Sequence, residues 1–315
     1  MEMIPMMVQR DCGLGVNSTE IIQKGYENDV CLLKCNGGKK LVLRISRNDD
    51  KLGSDFLYEA EVLEQLRSSK LPVPSMLKTL DGRSVAEIDG RPAVLFEFME
   101  GKRVLLDVEN TPTPGTIEAA GGLLAKIHRS LDAKCFSPKN KTSRNIFSEL
   151  DKLISKESLI RQSFSNGDEL INNCKMYYNF GKSNFRENCI IHGDYRAQNL
   201  LARDDGSISA LLDFDWCCPG PAEKDLALAL AEWSFPDRAP GYRKDVFDLF
   251  LRGYENEMKA SMDRKIMKNW ICFACLSDAA TYVSGLAGEL EETEENKEIK
   301  CYMYKKFKFF ENVDF

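Results

Sequence analysis

The stretch CIIHGDYRAQNLL, residues 189–201, sets polar residues between two apolar runs at a definite spacing. Asp194 follows the first run, and Asn199 lies five residues later, directly before the second run. After an Asp-Asp-Gly turn, a further apolar run continues through Leu211 and ends at Asp213. Apolar runs joined by such a turn predict a β-hairpin. We therefore expect Asn199 and Asp213 at the same edge of this hairpin.

The residue types at this edge suit a magnesium ion. Mg²⁺ prefers a few carboxylate and amide oxygens and completes its shell with water and nucleotide phosphates, so Asn199 and Asp213 are the expected ligands. Asp194 is left to accept or orient the proton of a hydroxyl group while a phosphoryl group transfers. Each residue alone is better explained as a turn residue or a strand end. The three together favour phosphoryl transfer.

Composition limits the classes of partner. The chain has 315 residues, of which 43% are hydrophobic and 29% charged, and its formal charge is 43 − 49 = −6. A soluble protein of two modest lobes is expected, without the positive field that holds nucleic acid or an anionic membrane. The N-terminus lacks the pattern of a signal peptide and no run of about eighteen apolar residues occurs, so a cytoplasmic location is expected.

The eleven cysteines are scattered through the chain, often within apolar runs. Cys272 and Cys275 form a CxxC, but no second CxxC and no nearby histidine completes a zinc site. Reduced, buried packing is the simpler interpretation of both. For the neighbouring Cys217 and Cys218, a redox-sensitive pair is the alternative interpretation.

Periodicity predicts an α+β fold with a boundary after the first third of the chain. Residues 20–46 alternate as three strands, residues 54–69 have helical spacing, and strands resume over 84–100. The remaining chain is mainly helical apart from the central hairpin. We expect an N-terminal lobe over 1–100, with an antiparallel sheet and one main helix, and a helical C-terminal lobe over 101–315.

Two segments near the C-terminus have their own patterns. The acidic run at 288–298 is most simply a solvated helix face, with a site for a cationic ligand as the alternative. The aromatic and lysine-rich run at 302–310 is too short to anchor in a membrane. A docked terminal element is expected there.

The motifs HGDYRAQN and LLDFD resemble the catalytic and metal-binding motifs of the aminoglycoside phosphotransferase and choline kinase-like family, relatives of protein kinases. The resemblance covers nearly the whole chain: GYEND at 25–29 resembles the nucleotide loop, LVLRIS at 41–46 the third strand, and VLFEFMEG at 94–101 the hinge. It implies a protein-kinase-like two-lobe fold. It also implies an ATP-dependent kinase that phosphorylates a hydroxyl group of a small molecule.

Position by position, the resemblance implies that Asp194 is the catalytic base and that Asn199 and Asp213 bind Mg²⁺. Arg196 lies where it could steady the charge on the transferring phosphoryl group, although a surface role is nearly as good an interpretation. Asp225 resembles the buried aspartate that hydrogen-bonds backbone amides behind the catalytic loop. His128 and His192 are expected to be structural residues.

Six residues are assigned to the nucleotide: Gly25, Asn28, Arg44, Glu59, Glu97 and Met99. Arg44 replaces the third-strand lysine of protein kinases and keeps its charge with a different geometry, and Glu59 is its expected partner. The adenine of ATP or GTP is expected against the hinge. Asp215 stands where protein kinases have glycine, which indicates an extra carboxylate near the metal or substrate.

The acceptor is expected to be small, because the connection at 217–222 is too short to display a peptide. Acidic side chains favour an amine-bearing acceptor: an amino alcohol, an amino sugar, an aminoglycoside, or a hydroxy amino acid such as homoserine. A nucleotide-binding module or pseudokinase without turnover is the main alternative. A metal hydrolase is a poorer one, since the chain has only two histidines. Neither the exact acceptor nor the oligomeric state can be read from the sequence.

Overall fold

The computed structural model describes residues 3–24, 28–47, 53–236, 241–289 and 301–313. The chain divides into two compact units. Unit 1 comprises Met1–Lys102, Cys135–Ser143 and Leu200–Asp215, and unit 2 comprises Arg103–Lys134, Arg144–Asn199 and Trp216–Phe315. The first border is close to the expected one, but two later segments also belong to unit 1. The assignment of nucleotide and acceptor roles to 1–100 and 101–315 stays a prediction.

Elements are numbered along the chain. The helices are α1 (Met3–Cys12), α2 (Gly53–Ser68), α3 (Pro114–Ser130), α4 (Ser148–Ser155), α5 (Glu157–Ser163), α6 (Gly167–Asn184), α7 (Ala222–Ser234), α8 (Lys244–Met258), α9 (Arg264–Glu289) and α10 (Tyr302–Asn312). The strands are β1 (Val16–Lys24), β2 (Asn28–Cys35), β3 (Lys40–Ser46), β4 (Ala86–Ile88), β5 (Arg91–Glu97), β6 (Lys102–Arg103), β7 (Cys189–Ile191), β8 (Leu200–Ala202), β9 (Ile208–Leu211) and β10 (Cys218–Gly220).

Unit 1 is built on an antiparallel sheet in the order β1-β2-β3-β5-β4. Alternate residues of its central strands, such as Leu33 and Leu43, are fully buried, as expected for a sheet with one face on a core. Helix α1 joins this core through Ile4, Met7 and Val8. It was not predicted from the sequence, because ten residues that include a proline show no clear helical period.

The expected hairpin is present in unit 1. β8 and β9 pair antiparallel, with Leu200 opposite Leu211, in a three-stranded sheet ordered β6-β8-β9. The Ser209 hydroxyl donates a hydrogen bond of 2.9 Å to the carbonyl of Glu100, which ties the hairpin to the segment after β5. The register brings the start of β8 beside the end of β9, and Asp213 lies two residues beyond the end of β9.

Unit 2 is mainly helical, and its helices pack closely. On α3, a Cβ atom at Gly121 would lie 2.0 Å from the carbonyl oxygen of Phe250 on α8. On α8, a Cβ atom at Gly253 would lie 2.1 Å from the carbonyl oxygen of Glu118 on α3. Both glycines are therefore needed for the close approach of the two helices. This packing fixes α3, which carries His128, against the core of unit 2.

The C-terminal helix docks in unit 2. Phe307 and Phe310 of α10 are fully buried, and α10 packs against α9, which confirms the expected docked element. Cys272 and Cys275 are fully buried in α9, as expected for packing residues. All eleven cysteines lie within the described residues and all are free thiols.

Most of the acidic run at 288–298 lies outside the described residues, which end at 289 and resume at 301. Among the helices that the structure describes, none is long and apolar enough to span a bilayer.

Candidate active site

A buried aspartate of α7 holds the turn that follows β7. Asp225 is fully buried, and its carboxylate accepts hydrogen bonds from the backbone N–H groups of His192 at 2.8 Å and Gly193 at 2.9 Å. Burial alone would raise the pKa of Asp225, but the hydrogen bond with His128 and nearby positive charge outweigh it and lower the pKa to about 2. Asp225 therefore stays ionised and fixes the backbone just before Asp194.

The turn itself requires a glycine. Gly193 has a φ of +83°, and a Cβ atom there would lie 2.4 Å from the carbonyl oxygen of Trp216. Both facts exclude larger residues without movement of the backbone. His192 is fully buried, and its Nδ1 lies 3.2 Å from the backbone nitrogen of Asp194. Both histidines of the chain are thus structural groups in unit 2, with the contacts expected of such groups.

Asp194 is held on both carboxylate oxygens. Nε of Arg196 donates to Oδ1, and Nδ2 of Asn199 donates to Oδ2 at 3.1 Å and to the backbone carbonyl of Asp194 at 2.9 Å. The side chain of Asp194 is 22% exposed, so its carboxylate is positioned but still accessible. Since Nδ2 of Asn199 is used in this way, the amide presents its oxygen, the atom that binds a cation, on the other side.

Arg196 has partners that its own motif does not contain. Besides Asp194, its guanidinium contacts Asp278 of α9 at 2.6 Å and the hydroxyl of Tyr302 of α10 at 3.0 Å. Sequence reasoning did not find these two residues, because they follow Arg196 by 82 and 106 positions and belong to no motif. Asp278 is marked in the sequence only as a carboxylate within an apolar stretch of α9, and Tyr302 does not stand out in the aromatic and lysine-rich sequence of α10.

In unit 1, Arg44 and Glu59 form a buried ion pair between β3 and α2. Nη1 of Arg44 lies 3.0 Å from Oε1 of Glu59, and Nη2 contacts Oε2, so the pair is bidentate. The guanidinium carbon lies 5.5 Å from the ring centre of Phe56 and 5.0 Å from that of Phe96. Aromatic contacts and the fork fix the direction of the cation.

Two carboxylates from the segment after β9 face this cation. Oδ1 of Asp213 and Oδ1 of Asp215 each lie 3.7 Å from Arg44, beyond hydrogen-bond length. Asp213 is 45% exposed and has a φ of +66°, a conformation that aspartate adopts at some cost. Asp215 is 3% exposed, and Nδ2 of Asn28 donates to its Oδ2 at 3.0 Å. The link between Asn28 and Asp215 was not anticipated from the sequence.

The remaining predicted nucleotide residues lie around the loop and the end of β5. Gly25 falls outside the described residues. The backbone N–H of Glu97 donates to the carbonyl of Ser75 at 2.9 Å, and its carboxylate lies 3.2 Å from Nη1 of Arg67. Met99 is half-buried just beyond the strand. These contacts are all within unit 1.

The donor atoms suit magnesium better than a transition metal. Among the described residues, no three His, Cys, Asp or Glu side chains converge as a complete metal site. Within unit 1, the carboxylate of Asp213 is nearly half exposed, and it is a hard oxygen ligand of the kind that Mg²⁺ uses. Within unit 2, the amide oxygen of Asn199 is a ligand of the same chemical type. The oxygen ligands in each unit therefore fit magnesium by chemical type.

The model of the phosphotransferase enzyme family matches residues 18–260, more than half of the chain. The chain belongs to the phosphotransferase enzyme family. The family and enzyme class predicted from HGDYRAQN and LLDFD are thereby confirmed, and no finding favours the pseudokinase alternative.

One curated relative is the homoserine kinase of Zymomonas mobilis subsp. mobilis, which is 26% identical over 204 residues. The match covers 64% of this chain and 61% of the relative, so the chain spans less than two thirds of that relative's length.

Two solved structures show the same fold across almost the whole chain. The amicoumacin kinase hAmiN, solved in complex with AMP-PNP, Ca²⁺ and Ami, has a TM-score of 0.72 at 16% identity and covers 98% of this chain and 91% of that one. A microcompartment-associated aminopropanol kinase has a TM-score of 0.63 at 17% identity, with 99% and 94% covered. The predicted kinase-like α+β fold is confirmed.

Proposed function

We propose that the protein transfers the γ-phosphoryl group of ATP to the hydroxyl group of a small, amine-bearing acceptor, with homoserine as the first candidate. The observation that carries the proposal is the accessible carboxylate of Asp194, held by Arg196 and Asn199 in a member of the phosphotransferase enzyme family. Homoserine is favoured because curated relatives named homoserine kinase match the chain. An amino alcohol is the next acceptor to test, since an aminopropanol kinase shares the fold.

In the proposed reaction Asp194 is the base. Its carboxylate accepts the proton of the acceptor hydroxyl as that oxygen bonds to the γ-phosphorus and the bond to the ADP oxygen breaks. Asn199 and Asp213 are the proposed ligands of Mg²⁺, which neutralises phosphate charge when bound. Arg196 has acceptors at all of its nitrogens, so its proposed role is to hold Asp194 rather than to meet the phosphoryl group.

For the nucleotide, we propose Arg44, oriented by Glu59, as the cation that meets the phosphates. Asn28 and Gly25 belong to the proposed phosphate loop, and Glu97 and Met99 to the adenine-binding hinge. ATP in place of GTP is part of the proposal, as is a cytoplasmic location. Eleven free thiols are typical of a reducing compartment and support that location.

The test is ADP release with Mg·ATP and homoserine, compared with two analogues. 2-Aminobutyrate lacks only the hydroxyl group and should give no ADP above background. 4-Hydroxybutyrate lacks only the amine and should react with a raised KM, because the proposal has the amine recognised by acidic side chains. The same assay with GTP and without magnesium checks the nucleotide and the metal.

Three results would contradict parts of the proposal. ADP release that 2-aminobutyrate stimulates as well as homoserine would contradict phosphorylation of a hydroxyl group. Equal KM values for homoserine and 4-hydroxybutyrate would contradict recognition of the amine. Nucleotide binding without turnover on any amino alcohol, amino sugar or hydroxy amino acid would instead favour a nucleotide-binding module.

A further inference from the structure

The guanidinium group of Arg196 has a hydrogen-bond acceptor at each of its nitrogens. Nε donates to Asp194, Nη1 donates to the hydroxyl of Tyr302 at 3.0 Å, and Nη2 donates to Asp278 at 2.6 Å. The partners come from the loop after β7, from α10 and from α9. Because the guanidinium is planar and rigid, three anchors in different directions fix its orientation. The orientation of Arg196 in turn sets where it holds the carboxylate of Asp194.

The direction of the hydrogen bonds at Tyr302 follows from chemistry. Arginine can only donate, so the Tyr302 oxygen accepts from Arg196. The single hydroxyl proton is then available to Glu232, whose carboxylate oxygens lie 3.3 and 3.4 Å away. Burial, together with the negative charge of Glu232, raises the pKa of Tyr302, so the hydroxyl keeps this proton at neutral pH.

A buried lysine completes the chain of contacts. Lys306, one turn after Tyr302 on α10, is fully buried, and its Nζ lies 2.9 Å from Oε1 of Glu232. An unpaired ammonium at such a position costs several kcal/mol, so the pairing with Glu232 is needed to keep it there. The other oxygen of Glu232 lies 3.9 Å from Nη1 of Arg196. Contacts therefore run without interruption from α10 to Asp194.

Asp278 is the second remote anchor. Burial raises the pKa of Asp278 to about 6, with the charge of Glu232 adding to the rise and Arg196 opposing it. The ion pair with Arg196 is therefore what keeps this carboxylate charged near neutral pH. Asp278 and Tyr302 hold two nitrogens of one guanidinium, and among the described residues of unit 2 neither is hydrogen-bonded to Asp194 itself.

We propose that Tyr302, on the C-terminal helix, is a positioning residue for phosphoryl transfer that keeps Arg196 oriented to hold the carboxylate of Asp194. The inference rests on the proposed role of Asp194 as the base. Without the Tyr302 hydroxyl, Nη1 loses its acceptor and the guanidinium can turn about its remaining anchors. A displacement of about 1 Å at a reacting group can cost about a hundredfold in rate, so a small movement of Asp194 is enough to be measured.

The experiment compares Tyr302→Phe with Tyr304→Phe. Both tyrosines belong to α10, so each variant removes one hydroxyl group from the same helix. The Tyr304 ring stacks on Phe307, and phenylalanine keeps that ring. Two readouts are needed: kcat and KM for Mg·ATP with homoserine, and the Nε–H resonance of Arg196 in arginine-labelled protein. Tyr302→Phe should lower kcat by about tenfold or more, leave the KM for Mg·ATP little changed, and shift the resonance. Tyr304→Phe should change neither.

The other possible outcomes contradict either the role of Tyr302 or the proposed acceptor. A wild-type kcat and an unmoved Arg196 resonance in Tyr302→Phe would overturn the inference. Equal losses of kcat in both variants, with equal losses of thermal stability, would overturn it in favour of simple packing of α10. If wild-type protein does not phosphorylate homoserine, only the acceptor proposal fails. The inference is then decided by magnesium-dependent ATP hydrolysis and by the resonance, and no change in either overturns it.

Discussion

Arg44 and Arg196 are both surrounded by carboxylates, yet their surroundings differ. Arg44 is fixed by one bidentate partner, Glu59, and two further carboxylates stand off at 3.7 Å. Arg196 has an acceptor at hydrogen-bond distance for each nitrogen. One of the carboxylates facing Arg44, Asp213, is nearly half exposed. The contacts of Arg44 with Glu59, Asp213 and Asp215 thus form an open network, which can accept a cation or a phosphate. The contacts of Arg196 with Asp194, Asp278 and Tyr302 form a closed network, which positions Asp194.

The largest effect should come from the residue that the closed network positions. Asp194→Asn keeps the shape but removes the basic carboxylate, so kcat should fall by about a thousandfold while the nucleotide Kd changes little. Steady-state kinetics and calorimetric nucleotide binding test this. The control is Asp204→Asn in the exposed hairpin turn, which should behave as wild type. A near-normal kcat in Asp194→Asn would contradict the role of Asp194 as the base. The closed network would then have no catalytic group to position.

Asp225 should matter for stability, since it holds the backbone beneath the closed network. Asp225→Asn should lower the free energy of unfolding by about 3 kcal/mol, because a buried, hydrogen-bonded charge is lost. The pKa of Asp225 in the folded protein, about 2, is lower than the usual aspartate value of 3.8, so its ionisation contributes about 2 kcal/mol above pH 4 that is lost as pH falls through 2.

Denaturant unfolding of wild type and Asp225→Asn across that pH range measures this contribution. The difference between the two proteins should shrink as the pH falls. A difference that is independent of pH would show that the charge of Asp225 does not stabilise the fold.

Binding of magnesium with ATP should depend on Asp213 of the open network. Asp213→Ala should weaken binding of Mg·ATP by about tenfold to a hundredfold, while binding of ATP without magnesium should change far less, because the lost oxygen is the proposed metal ligand. Titrations with and without magnesium distinguish the two effects. Equal weakening in both titrations would instead assign Asp213 to the fold of the segment after β9.

The smallest effects on activity should come from replacing each of the two arginines by lysine. Arg44→Lys retains a positive charge but loses the fork, and the KM for Mg·ATP should rise by about tenfold with kcat less affected. Arg196→Lys should have the opposite pattern, a lower kcat with a nearly unchanged KM for Mg·ATP. Steady-state kinetics on this matched pair provide the measurement. The same pattern in both variants would show that the open and closed networks do not have separate functions.

Much of this could be predicted because the signals are local. The strands of unit 1, the helix α2 and the β8–β9 hairpin follow from alternation, helical period and turn residues within short windows. Likewise, Asp194 and Asn199 belong to one turn, so their contact depends on five residues of chain. Helix α1 was missed because its own ten residues are ambiguous, and packing against the sheet decides its conformation.

The sequence by itself determined the fold class, the family and the residues of the two motifs, because hydrophobic period and motif spacing are properties of neighbouring residues. Only the tertiary structure decided that Arg196 is held by Asp278 and Tyr302, and that Asn28 is linked to Asp215. Such contacts join positions 82 to 187 residues apart. Which polar residues meet at that separation depends on how whole helices and strands pack, and no local pattern records it.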